Sequence, residues 1–134
     1  VAVFVGFTDQ IAALEMPFDL TGTTYVSNAS NGVGFLFDTA ATTDTIRAVG
    51  VATDTDATHV DTSLAYVGDT YRKLRIEVDT AGVAKFWIDG VLKATLSAAV
   101  TAATALVPVI AGYANAAASR VFTVDYLHVA QDRI

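Results

Sequence analysis

The sequence predicts an all-β domain, an antiparallel two-sheet β-sandwich of jelly-roll type, on three observations. Val, Ile, Thr, Tyr and Phe recur in short runs with period-2 alternation, the pattern of half-buried strands. No long stretch keeps a 3.6-residue apolar stripe. Turn chemistry punctuates the runs, most clearly at Asp89-Gly90, because both central positions of a type I′ hairpin turn need positive φ.

Taken in order, Val1 to Phe7 is the first strand, with Val1, Val3, Val5 and Phe7 on one face. Thr8-Asp9-Gln10 ends it, and Ile11 to Met16 is the one helical-turn candidate, stopped by Pro17. Gly32 to Phe37 is a second strand. Val33, Phe35 and Phe37 share one face, while Gly32 and Gly34 leave room for another backbone on the other. Ile46 to Thr53 is a third strand. Thr58 to Leu64 is expected to pair briefly, and Val67-Gly68-Asp69 to form a loop. Tyr71 to Asp79 alternates an apolar set ending in Leu74, Ile76 and Val78 with a charged set, as a strand with one wet face does. Thr80-Ala81-Gly82 turns the chain into Val83 to Ile88, and Asp89-Gly90 returns it through Val91 to Leu96. Ala105 to Gly112 and Arg120 to Ala130 are the last two strands predicted, joined by Tyr113 to Ser119. Hairpin-linked strands without a substantial helix give the sandwich.

Composition narrows the function. In 134 residues, 53% are hydrophobic and 16% charged, against about 25% charged in an average soluble domain. That length gives one domain with its own core, and that composition excludes disorder. With no cysteine, a disulfide scaffold or a thiolate metal site is excluded. A net charge of −6 argues against a phosphate-backbone binder, so no nucleic acid is expected. Between Lys93 and Arg120 no charged residue occurs, but Pro108, Gly112 and several Ser, Thr and Asn residues interrupt the run, so no membrane helix is expected. The chain opens within a strand, without an initiator Met or a basic leader, and is read as a segment of a longer polypeptide.

The run Tyr71-Arg72-Lys73-Leu74-Arg75-Ile76-Glu77-Val78-Asp79, followed by Lys85-Phe86-Trp87-Ile88-Asp89-Gly90-Val91-Leu92, resembles the central hairpins of concanavalin A-like lectin/glucanase (laminin-G-like) domains. Val5-Gly6-Phe7-Thr8-Asp9, Val33 to Asp38 and the closing Val124-Asp125-Tyr126-Leu127-His128-Val129 extend the resemblance to bacteriophage virion structural proteins carrying such a domain. It covers nearly the whole chain. It implies a single concanavalin A-like domain over 1–134, short of one or two N-terminal strands. It further implies a non-enzymatic role in the virion, as capsid decoration or a head or tail fibre component.

The glucanase branch of that family places Glu-x-Asp-x-Glu on one strand, since residues two apart share a face and two carboxylates must flank the sugar. Glu77 and Asp79 fill two of these places, but the third is Ala81, so no catalytic residue is expected. His59 and His128 lie far apart and form no nucleophilic or metal-ligand set. No cofactor is expected. The one oxygen-rich group that could serve Ca²⁺, Asp54 and Asp56 with Asp61, lacks EF-hand order and reads as a solvated loop. Asn28-Ala29-Ser30 is a formal glycosylation sequon.

Trp87, Tyr71, Tyr113 and Tyr126 are the candidate glycan or interface aromatics, with Tyr25 and Tyr66 as extensions of a platform. For Trp87 burial is the expectation, on the face opposite Phe86 and Ile88. The expected partners are further copies of the chain and other virion proteins, because strands apolar on both faces, such as Val1 to Phe7, suit assembly. A host-glycan-binding module on the same fold is the alternative.

Overall fold

A computed structural model describes residues 1–10, 15–117, 119 and 121–131. Among the described residues the chain forms strands only: β1 (Ala2–Thr8), β2 (Phe18–Thr21), β3 (Thr24–Ser27), β4 (Asn31–Asp38), β5 (Thr45–Ala52), β6 (Thr55–Asp56), β7 (Val60–Ala65), β8 (Leu74–Val78), β9 (Ala84–Ile88), β10 (Val91–Leu96) and β11 (Val107–Tyr113). All pairings are antiparallel. The large sheet runs β11-β1-β4-β5-β6, with β7 also on β5; β10-β9-β8 and the hairpin β2-β3 are separate sheets. The architecture is all-β and antiparallel, compatible with a β-sandwich. No described helix is long and apolar enough to cross a membrane.

The large sheet is covered on both faces. Every residue of β4 is buried, as expected of a strand without polar alternation. On one face Val33 and Phe35 of β4 and Ile46 and Ala48 of β5 pack against Ala84, Phe86 and Ile88 of β9 and Ala94 and Leu96 of β10. Phe35 meets Phe86 edge-on, centroids 5.2 Å apart, a favourable aromatic geometry. On the other face Ala2, Phe4, Leu36, Val49 and Val51 pack against Phe18 and Tyr25 of the β2-β3 hairpin and Met16. The two-sheet expectation therefore requires a third, smaller layer.

That hairpin was not expected: Phe18 to Leu20 and Tyr25-Val26 are too short to show alternation, although Gly22 sits at φ 64 in the connecting turn. The predicted facing of β1 holds, with Val3, Val5 and Phe7 on one face. The opposite face is the more deeply buried: Ala2, Phe4, Gly6 and Thr8 are buried and Val3, Val5 and Phe7 half-buried, because the hairpin covers the even face more completely than β8 to β10 cover the odd one.

Asn31 ties the loops at one end of this stack. Its Nδ2 donates to Asp9 Oδ2 at 3.0 Å, and its Oδ1 accepts from the Thr53 and Thr101 amides at 3.2 Å each. A side-chain amide with both ends satisfied can be buried without the penalty of an orphaned polar group. The Asp89-Gly90 turn behaves as predicted, with φ 53 and 82. Asp89 also accepts from the Lys73 amide at 2.9 Å and from Arg72 at 2.8 Å, which holds its carboxyl below the ordinary range. Asn28, the sequon residue, donates to Met16 O and Asp19 Oδ2, both at 2.9 Å.

The Ile11 to Met16 helical turn falls largely on residues 11–14, outside the described residues. The predicted last strand is corrected. From Val121 to Gln131 the chain has no regular pairing, although its alternation is that of a strand. A strand forms only where an edge receives it, and the described residues place none alongside.

Candidate functional site

The outward face of β8-β9-β10 is built by the alternation the sequence shows. Phe86 and Ile88 point into the core, so Trp87 points away from it. It is half-buried rather than interior, which corrects the expectation of a buried tryptophan. Arg75 of β8 and Leu92 of β10 are its cross-strand neighbours. The Arg75 guanidinium lies 4.9 Å above the indole centroid, a cation–π contact that covers part of the ring. Arg75 also pairs with Glu77, and Glu77 stands opposite Lys85. Asp79 Oδ1 accepts from the Ala81 and Val83 amides at 2.9 Å, closing the turn into β9. Both carboxylates that resemble part of a glucanase triad are thus engaged in structural contacts.

The four candidate aromatics do not assemble into one platform. Tyr71 is exposed just before β8. Tyr113 ends β11 on the hairpin side of the large sheet, its hydroxyl 3.5 Å from Asp19 Oδ1. Trp87 faces outward from the layer on the opposite side of that sheet. Tyr126 is exposed in the unpaired segment after β11. Of the two proposed extensions, Tyr25 is buried and Tyr66 stacks on Phe37, centroids 4.3 Å apart.

A second group, which sequence spacing did not reveal, lines a cleft of about 330 Å³ at the hairpin's edge: Tyr25, Arg47, Asp56 and His59. Arg47 lies 5.5 Å over the Tyr25 ring and bonds Asp61 at 3.2 Å. The Tyr25 hydroxyl and Arg47 Nε are buried without a protein partner among the described residues. Burial pushes the Tyr25 phenol up and the His59 imidazole down, so both are neutral at pH 7. His59 Nε2 is 3.4 Å from Gly50 O and its ring meets Phe18 edge-on. Packing fixes these groups as much as any ligand would.

The proposed Ca²⁺ oxygens do not converge. Asp54 accepts from Ser30 at 2.5 Å, and Asp61 is taken by Arg47 and Thr45. No cluster of three His or acidic side chains suited to a metal occurs among the described residues. His128 is exposed.

The largest departure from an ordinary surface lies after β11. Of fifteen large apolar side chains exposed among the described residues, six fall between Val121 and Val129: Val121, Phe122, Val124, Tyr126, Leu127 and Val129. Val121 is 86% exposed and Leu127 57%. Phe122 reaches back to Gly112 and lines a cleft with Val1, Val3, Phe37 and Tyr66. Exposed apolar side chains at this density, six within nine residues, mark an interaction site more often than a free face. Comparisons with family models, curated proteins and solved structures give no match for this chain.

Proposed function

We propose that this chain is a non-enzymatic structural domain of a bacteriophage virion, a concanavalin A-like jelly-roll sandwich that decorates a capsid or forms part of a head or tail fibre. It works by burying surface between copies of itself and against other virion proteins. The observation that carries the assembly reading is the exposed apolar run from Val121 to Val129. Burying one Leu or Phe contributes about 1.5–3 kcal/mol against an association cost of about 4–15 kcal/mol, so a stable subunit contact must cover most of the six together. The virion setting rests on the sequence resemblance. Light scattering over a concentration series tests the assembly reading: a defined oligomer is expected, and a strict monomer at high concentration refutes it.

Host-glycan binding is the second reading, and the outward position of Trp87 favours it. A sugar would stack on the indole face that Arg75 leaves open, or displace the guanidinium. Glycan-array binding that disappears in Trp87→Ala while the fold is retained would support this reading. An array with no binding above background counts against it.

A further inference from the structure

Asn31 is followed in sequence by Gly32. The backbone nitrogen after an asparagine can attack the side-chain carbonyl carbon, and glycine has no Cβ to hinder the approach. The chain holds two other asparagines, Asn28 and Asn115, each followed by alanine.

The fold holds both reacting groups of Asn31-Gly32 apart. Asn31 Nδ2 donates to Asp9 Oδ2, and Oδ1 accepts from the Thr53 and Thr101 amides, which fixes the side chain. The main chain is fixed as well. Asn31 N donates to Asp9 Oδ1 and Asn31 O accepts from Asp9 N, each at 3.0 Å, so both point toward the β1 side. Successive residues of a strand alternate in this direction, which turns the Gly32 amide toward Val51 of β5. Nor does the fold require glycine at this position. Its φ is not positive, and a Cβ on Gly32 would meet Phe7 O at 3.4 Å and Phe18 and Thr8 at 3.6 Å, which are ordinary contacts.

We propose that Asn31 is a self-modification site gated by the fold. While the clamp is closed the side-chain amide persists. When β4 opens, the Gly32 nitrogen bonds to Asn31 Cγ as the Cγ–Nδ2 bond breaks, and Nδ2 leaves as ammonia with the Gly32 proton. Water then opens the cyclic imide at either carbonyl, leaving an aspartyl or an isoaspartyl residue at position 31. Neither restores the clamp, because the new carboxylate has no N–H to offer Asp9 and repels its charge. The isoaspartyl linkage also adds a main-chain carbon to a strand whose every residue is buried. A chain that has opened is thereby marked, and the marking runs one way.

Peptide mapping by mass spectrometry, after incubation in mildly alkaline buffer with and without denaturing urea, tests this at all three asparagines. In urea Asn31 should be converted well before Asn28 and Asn115. In native buffer its conversion should be slower by on the order of 100-fold or more, since only opened molecules react. Gly32→Ala should slow the reaction in urea to the pace of Asn28, a readout that does not depend on the variant folding. Asp9→Ala should raise the native rate about tenfold or more and leave the urea rate unchanged. Sub-denaturing urea reads the same gate without a variant, because the wild-type rate should climb as β4 opens. Asn31 reacting as fast in native buffer as in urea overturns the gate. A Gly32→Ala chain reacting in urea as fast as wild type overturns the site. Modified chains that refold with the wild-type urea midpoint overturn the one-way marking.

Discussion

Replacing Gly34 by alanine probes the centre of the large sheet. Gly34 of β4 pairs with Gly6 of β1, and the Phe4 ring lies across the pair. A Cβ on Gly34 would stand 2.4 Å from Cε2 and Cζ of Phe4 and 2.8 Å from the Val5 carbonyl oxygen. Ordinary carbon contacts are at about 3.5–4.0 Å, so the ring must move. Phe4 is fully buried and stacks on Phe18 with centroids 5.7 Å apart, which leaves it nowhere to go without disturbing the hairpin. Overpacking of this kind costs about 1–3 kcal/mol. The smaller backbone entropy loss of alanine offsets about 0.5–1 kcal/mol. Gly34→Ala should therefore lose about 1–2 kcal/mol, lowering the urea midpoint by about 0.5–1 M. Urea titration followed by the lone tryptophan's fluorescence and by circular dichroism measures it. In a Phe4→Leu background the same substitution should cost less, by about 0.5 kcal/mol or more. A Gly34→Ala protein as stable as wild type, with no coupling to Phe4, would show that the ring does not lie there.

Two more perturbations follow from buried polar groups. Asn31→Ala strands the Thr53 and Thr101 amides and should cost about 2–3 kcal/mol in the same titration. Asn31→Asp should not rescue it, because the new carboxylate would face Asp9. His59, held below its ordinary value of 6.5 by burial, takes a proton in the unfolded chain at higher pH than in the folded one. Its contribution is intact above about pH 7 and is lost as pH falls through 6.5 and then the lower folded value. Denaturation of wild type and His59→Gln at about pH 7.5 and pH 5 should show a shallower acid loss in the variant; identical profiles would remove His59 as the cause.

Local chemistry made much of the fold legible. Asp89-Gly90 announces its hairpin because few residues tolerate positive φ at both positions, and Leu74-Ile76-Val78 against Arg75-Glu77 gives the facing of β8. Gly32 and Gly34 marked a close approach, though what fills the space at Gly34 is chiefly the Phe4 ring, a partner that depends on long-range register. Trp87 was assigned to the face opposite Phe86 correctly. Which of those faces is interior depends on where Phe35 lies, and no local pattern contains that. The cleft of Tyr25, Arg47 and His59 and the clamp at Asn31 join residues from distant strands and loops, so spacing could not reveal them. The closing segment shows the opposite failure: its alternation is real, but pairing also needs an edge to receive it.

Amide hydrogen exchange at two protein concentrations tests the assembly account most directly. Amides of 121–130 should exchange quickly in dilute solution and become protected as concentration rises. Fast exchange across 121–130 at every concentration would contradict the account.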